Sequence, residues 1–143
     1  MYTRFYRLDE RPFELMPDLR YLYLSEEHRE ALDHLRYGVE ERRGFVQLTG
    51  EIGTGKTLML DALVAELDAT TRVMRLSHTT VDDVGLLRIL GRQLGVGGAS
   101  KPELLAGIEN ALCELVRAGR NAVFVVDEAQ NLSLIVLEEI RLL

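Results

Sequence analysis

Eight consecutive residues constrain this chain more than anything else in it: Gly50-Glu51-Ile52-Gly53-Thr54-Gly55-Lys56-Thr57. Three glycines in eight positions permit backbone turns closed to other residues, so that successive N–H groups can converge on one point. The pattern G-x-x-x-x-G-K-[ST] acts as a phosphate cradle only between a strand and a helix. Both are expected here. Phe45-Val46-Gln47-Leu48-Thr49 has strong strand propensity, and an apolar-periodic helix from about Lys56 to Leu67 follows. The N-terminus of that helix adds partial positive charge at the same spot. Lys56 would reach the β- and γ-phosphates and the Thr57 hydroxyl would ligate Mg²⁺. Glu51, Ile52 and Leu58 complete the nucleotide-binding stretch. The only lysines are Lys56 and Lys101, so 15 of the 17 basic residues are arginines. A lysine kept at this position suits a compact ammonium between phosphates, where arginine's fork fits poorly. The blander reading, a glycine-rich turn with an exposed lysine, does not account for the strand and helix on either side.

The remaining pattern fits an α/β fold with a mostly parallel sheet and flanking helices, because strands alternate with amphipathic helices. Residues 1–24 form an aromatic arm (Tyr2, Phe5, Tyr6, Phe13, Tyr21, Tyr23), and Pro12 and Pro17 leave no room for a long helix. The arm's aromatics are expected to pack beneath the sheet, with Pro12-Phe13 the preferred pair should any flank an adenine. Ser25 reads as an N-cap for a helix with Ala31, Leu32, Leu35 and Val39 inward, running to Arg42 or Arg43 and stopping at Gly44. Thr71 to Leu76 is a second strand. Thr80 and Asp83 are spaced like a capping box for a helix burying Val84, Leu87, Leu90 and Leu94. Gly95 to Ala99 is a loop. Ser100 and Glu103 repeat the capping-box spacing before a helix with Leu104, Ile108, Ala111, Leu112 and Leu115 inward. Asn121 to Val126 is a buried strand, and Ser133 caps a last helix. Residues 1–43 thus lead into a core at 44–143. Leu143 comes with no stop signal, so the core is expected to be partial.

Composition narrows the partners. Seventeen basic against 23 acidic residues leave a net charge of −6, and 47% of residues are hydrophobic. Disorder and non-specific nucleic-acid binding are disfavoured. Cys113 is the single cysteine, so no internal disulfide exists, and its apolar neighbours favour a buried structural thiol. No stretch approaches the roughly 20 apolar residues of a membrane span. His28 and His34, six apart, do not share a helix face, and His78 lacks ligand-spaced partners, so no histidine metal site is expected.

A second acidic element follows the 121–126 strand. Val123-Phe124-Val125-Val126-Asp127-Glu128 resembles the Walker B element of nucleotide-hydrolysing proteins. At the carboxyl end of a buried parallel strand, Asp127 would face the crevice where ligands bind and hold magnesium through a water. Glu128 would polarise the attacking water as general base. That glutamate favours hydrolysis over transfer to a second substrate, which supplies its own nucleophile. Gln130 and Asn131 could either sense a γ-phosphate or simply shape the turn.

Four strings together (FYRLDERPF, PDLRYLYLSEEHREAL, YGVEERRGFVQLTGEIGTGKT and VFVVDEAQNLS) resemble the AAA+ ATPase domain of the general secretion pathway protein A family. Exosortase-locus ATPases are related, and transposition helper ATPases are more distant. The likeness covers nearly the whole chain. Arg7 and Leu19 stand where the family usually has glycine and proline, and Leu58 replaces a frequent threonine. The resemblance implies a P-loop NTPase fold of AAA+ or RecA-like type, ATP and Mg²⁺, and self-association with a neighbour's arginine finger. It also implies a cytoplasmic place, at the inner-membrane face in the full-length protein, and partners in a secretion or envelope complex. An ATP-gated helper in DNA transposition is the alternative. In such sheets a further strand lies between the phosphate-loop strand and the Walker B strand. It and the lid are expected beyond Leu143, so the 143 residues alone are expected to fold marginally and turn ATP over poorly.

Overall fold

A computed structural model describes residues 2–9, 11, 18–77 and 80–143, which form two compact units, Met1–Ala62 and Leu63–Leu143. The first unit begins with a five-residue helix, α1 (Tyr2–Tyr6), where the rings of Phe5 and Tyr6 meet edge-on at 4.9 Å. A 3₁₀ turn at Leu19–Tyr21 is capped by the Asp18 carboxylate, which accepts the Arg20 backbone N–H at 2.9 Å. Helix α2 (Glu26–Glu40) then starts as its sequence requires. The Ser25 hydroxyl accepts the His28 N–H, Glu26 and Glu27 occupy the first turn, and Leu32 and Leu35 are buried. Its end comes earlier than expected. Arg42, not Gly44, is the first residue to turn left-handed (φ 50°), and the Arg43 N–H closes onto the Gly38 carbonyl at 3.0 Å.

The strand expected at Phe45–Thr49 is not formed; the segment joins no strand ladder among the described residues, and Phe45 and Val46 are exposed. Strand propensity needs a partner to become a strand, and none pairs with it here. It runs close over α2 instead: a Cβ at Gly38 would come within 2.1 Å of Val46 Cγ2. Helix α3 (Lys56–Glu66) follows the glycine loop, as its periodicity predicted, with Met59, Ala62 and Leu63 buried.

The second unit is built on two parallel strands, β1 (Thr71–Leu76) and β2 (Asn121–Val126), paired in register from Thr71↔Asn121 to Leu76↔Val126. Helices α4 (Asp83–Leu94), α5 (Lys101–Arg117) and α6 (Leu134–Leu142) flank them. Their apolar faces meet in one core: Met74, Leu76, Leu86, Leu87, Leu90, Leu104, Ile108, Leu132 and Val136. Each leucine so buried contributes about 1.5–3 kcal/mol of transfer free energy, which is what holds a two-stranded sheet in place. The edge of β1 away from β2 is covered by a side chain. The Gln93 amide donates to the Arg75 carbonyl at 2.9 Å and its oxygen accepts the Arg75 N–H at 2.8 Å.

Several sequence expectations change here. Helix α4 is capped by Asp82, whose carboxylate accepts the Gly85 N–H at 2.7 Å, rather than by Thr80; Asp82 lies next to the first helical residue and Thr80 does not. Ser100 caps α5 as expected, while Glu103 reaches back to the N–H of Ala99 at 2.8 Å. Cys113 is exposed, because the buried stripe of α5 runs through Leu104 and Ile108. Among the arm's aromatics Phe5, Tyr6, Tyr21 and Tyr23 are exposed instead of packed beneath a sheet. Pro12, Phe13, Pro17 and His78 lie outside the described residues.

Candidate functional site

Within the first unit a cleft of about 740 Å³ opens beside the glycine loop. Gly50, Gly53, Thr54, Gly55, Lys56 and Leu58 line one side, and Tyr21, Leu22, Tyr23, Ser25, His28 and Ala31 contribute the other. The loop is shaped by its glycines. Gly53 and Gly55 both sit at φ 83°, a left-handed backbone that side chains resist. A Cβ on Gly50 would come within 2.9 Å of Thr54 Oγ1. Thr54 closes the turn by donating both its hydroxyl (2.9 Å) and its N–H (3.4 Å) to the Glu51 carbonyl. Lys56 Nζ curls back over the loop and donates to the carbonyls of Gly50 at 2.9 Å and Glu51 at 2.7 Å. Its charge therefore lies over the loop rather than out in solvent. Thr57 occupies the first turn of α3 with an exposed side chain, and Ile52 is fully exposed at the loop's tip.

In the second unit the carboxyl end of β2 carries Asp127 and Glu128. Asp127 is one-fifth exposed; its Oδ1 accepts the Glu128 N–H at 3.0 Å, and its Oδ2 lies 4.0 Å from the guanidinium of Arg75 on β1. Glu128 adopts a left-handed backbone, φ 53° and ψ 42°, a conformation that costs a non-glycine residue about 1–2 kcal/mol. Such strain concentrates at functional sites. Its carboxylate accepts the side-chain amide of Gln130, and its carbonyl accepts the Asn131 N–H at 3.0 Å, opening a 3₁₀ turn at Ala129–Asn131. Gln130 thus takes up Glu128, and Asn131 shapes the turn.

A family model described as an AAA domain matches residues 39–143. The chain belongs to the AAA domain family. It is 40% identical over 146 aligned residues to General secretion pathway protein A of Aeromonas hydrophila, an alignment that covers all of this chain and 27% of that protein. The chain thus spans about a quarter of the length of the curated relative it matches. No solved structure matches it. The resemblance set out from the sequence is borne out, and with it the α/β P-loop NTPase class, with a parallel sheet and flanking helices.

Two side chains stand beside these groups in positions that the sequence did not assign them. His28 on α2 touches the loop, its Nε2 lying 3.0 Å from the Thr54 carbonyl oxygen. Arg75 faces Asp127. Both contacts join residues far apart in the chain, so no local spacing marks them. The available hint for His28 was its place three residues after the Ser25 cap, one turn into α2.

Proposed function

We propose that this chain binds ATP with magnesium and hydrolyses it at the β–γ bond, energising assembly of a secretion or cell-envelope complex. The observation that carries the reading is the loop itself. Its left-handed glycines and its inward-curled Lys56 line a cleft, in a chain of the AAA family.

The residues suit the groups assigned to them. Lys56 has carbonyl partners that it can exchange for phosphate oxygens, which bind an ammonium more strongly because they carry full charge. The N–H groups from Gly50 to Leu58 would take the phosphates, helped by the N-terminus of α3. Thr57 and Asp127 offer the hard oxygen donors that magnesium prefers, in the small number it uses when phosphates supply the rest. Magnesium-bound triphosphate supplies the charge neutralisation the reaction needs; the chain's part is to position it and to orient water. That last task falls to Glu128 as general base. Gln130, bonded to the Glu128 carboxylate, fixes where that carboxylate points. Self-association through the nucleotide site belongs to the same reading. The name of the Aeromonas relative supports a secretion setting, and the net charge of −6 weighs against a DNA-transposition role.

Two variants test the assignment. Lys56→Ala should lose ATP binding by at least about a hundredfold, as removal of a charge-assisted phosphate contact does at about 1.4 kcal/mol per decade. Glu128→Gln should keep ATP affinity while release of free phosphate collapses. Undiminished phosphate release by Glu128→Gln removes Glu128 from its role, and a phosphorylated acceptor in place of free phosphate would replace hydrolysis with transfer.

A further inference from the structure

Helix α2 presents to the loop a histidine that the proposed function leaves without a task. His28 Nε2 lies 3.0 Å from the Thr54 carbonyl oxygen. A carbonyl only accepts, so that ring nitrogen carries the hydrogen. The other ring nitrogen, Nδ1, lies 3.2 Å from the Ser25 oxygen, whose hydroxyl donates to the Glu27 carboxylate at 2.7 Å. The Ser25 hydroxyl also accepts the His28 backbone N–H at 3.3 Å. The Nε2–H bond to the Thr54 carbonyl therefore ties the ring to the loop, since the one hydrogen of the Ser25 hydroxyl goes to Glu27.

The grip has a consequence for the loop. A trans peptide is planar, so the Thr54 carbonyl and the Gly55 N–H point in opposite directions. Holding the oxygen on α2 turns the Gly55 N–H away from α2. The carbonyls of Gly50 and Glu51 are occupied by Lys56, so of the three loop carbonyls described here Thr54 is the one held from outside the loop. An anion cradle needs its N–H groups presented and its carbonyls turned away.

We propose that His28 is a positioning residue of the phosphate loop: its Nε2–H holds the Thr54 carbonyl so that the Gly55 amide is preset toward an incoming triphosphate. This rests on the ATP reading above. The test measures binding of ATP, and of inorganic tripolyphosphate as a base-free probe, by calorimetry on the 143-residue chain and on His28→Ala and His28→Gln. His28→Ala should weaken both ligands about tenfold, the worth of one well-placed hydrogen bond. His28→Gln, whose amide N–H can reach the same carbonyl, should recover to within about threefold of wild type. Unchanged affinity in His28→Ala overturns the proposal, as does weakened ATP binding with unchanged tripolyphosphate binding, or an unrecovered His28→Gln that melts like wild type. Should His28→Ala not fold, ring ¹⁵N shifts of the wild type decide: a hydrogen on Nε2 upholds the assignment, and a bare Nε2 sinks it. Failure of the ATP reading itself would look different, since wild type and Lys56→Ala would then bind ATP equally poorly.

Discussion

Three described non-glycine residues, Arg7, Arg42 and Glu128, occupy a left-handed backbone that only glycine adopts freely, and comparing the last two separates structure from chemistry. Arg42 terminates α2 at φ 50°, and Glu128 follows β2 at φ 53°. Replacing either by glycine removes about 1–2 kcal/mol of backbone strain and restores part of it as unfolded-state entropy, so each variant should gain about 0.5 kcal/mol of stability. The two should part company in activity. Arg42→Gly should hydrolyse ATP as wild type does, whereas Glu128→Gly should be at least as stable and inactive. Chemical denaturation beside a phosphate-release assay checks both, and an active Glu128→Gly would show that its strain serves no reaction. At this scale the glycine loop was legible from sequence because its chemistry depends on residue types at fixed local spacing. His28 was not legible, because its bond to Thr54 spans 26 residues and exists only once α2 has folded against the loop. Nor was the exposure of Cys113, since a helix's buried stripe is narrower than its apolar composition suggests.

Between the elements of the second unit, charge joins what apolar packing has brought together. Lys101, at the first position of α5, donates to Asp83 of α4 and Glu139 of α6, each at 2.7 Å, and Glu139 is buried. That ammonium, the largest influence, holds the Asp83 carboxyl below its ordinary value of 3.8. Likewise the Ala99 N–H, then the Ser100 hydroxyl, hold Glu103 below 4.5. A carboxylate with a depressed folded-state value stabilises the fold above its ordinary value and loses that contribution as pH falls through the depressed one. The melting midpoint of this unit should therefore hold steady near neutrality and fall below about pH 4. Lys101→Met should lower the midpoint at neutral pH, by leaving Glu139 buried without its cation, and should flatten the acid decline. An acid limb as steep in the variant as in wild type would remove Lys101 as its source. The placement of α4, α5, β1 and β2 followed from periodicity and caps, which are local signals. The 45–49 segment departed from expectation because strand pairing is not local; its residues favour a ladder that no described strand supplies.

For the molecule as a whole, ligand linkage gives the most direct measurement. Anything that binds the folded chain and not the unfolded one stabilises it by mass action, about 2.7 kcal/mol at a hundred times the dissociation constant. In a chain of 143 residues that corresponds to a rise in melting temperature of about 8 °C. Magnesium-ATP should produce such a rise, and in Lys56→Ala it should vanish. Chelating the metal should remove most of it, because Thr57 and Asp127 are assigned to the cation and, without it, the triphosphate's negative charge is left to Lys56 and the loop amides alone. ADP should stabilise less than ATP, having lost the γ-phosphate that Lys56 is assigned to reach. A metal-independent shift would take the cation from Thr57 and Asp127 while leaving the loop's grip on phosphate intact. Equal shifts with and without Lys56 would remove the loop from binding altogether. The size of the shift is set by the entropy of unfolding, so at equal affinity it should shrink as the cooperatively melting unit grows.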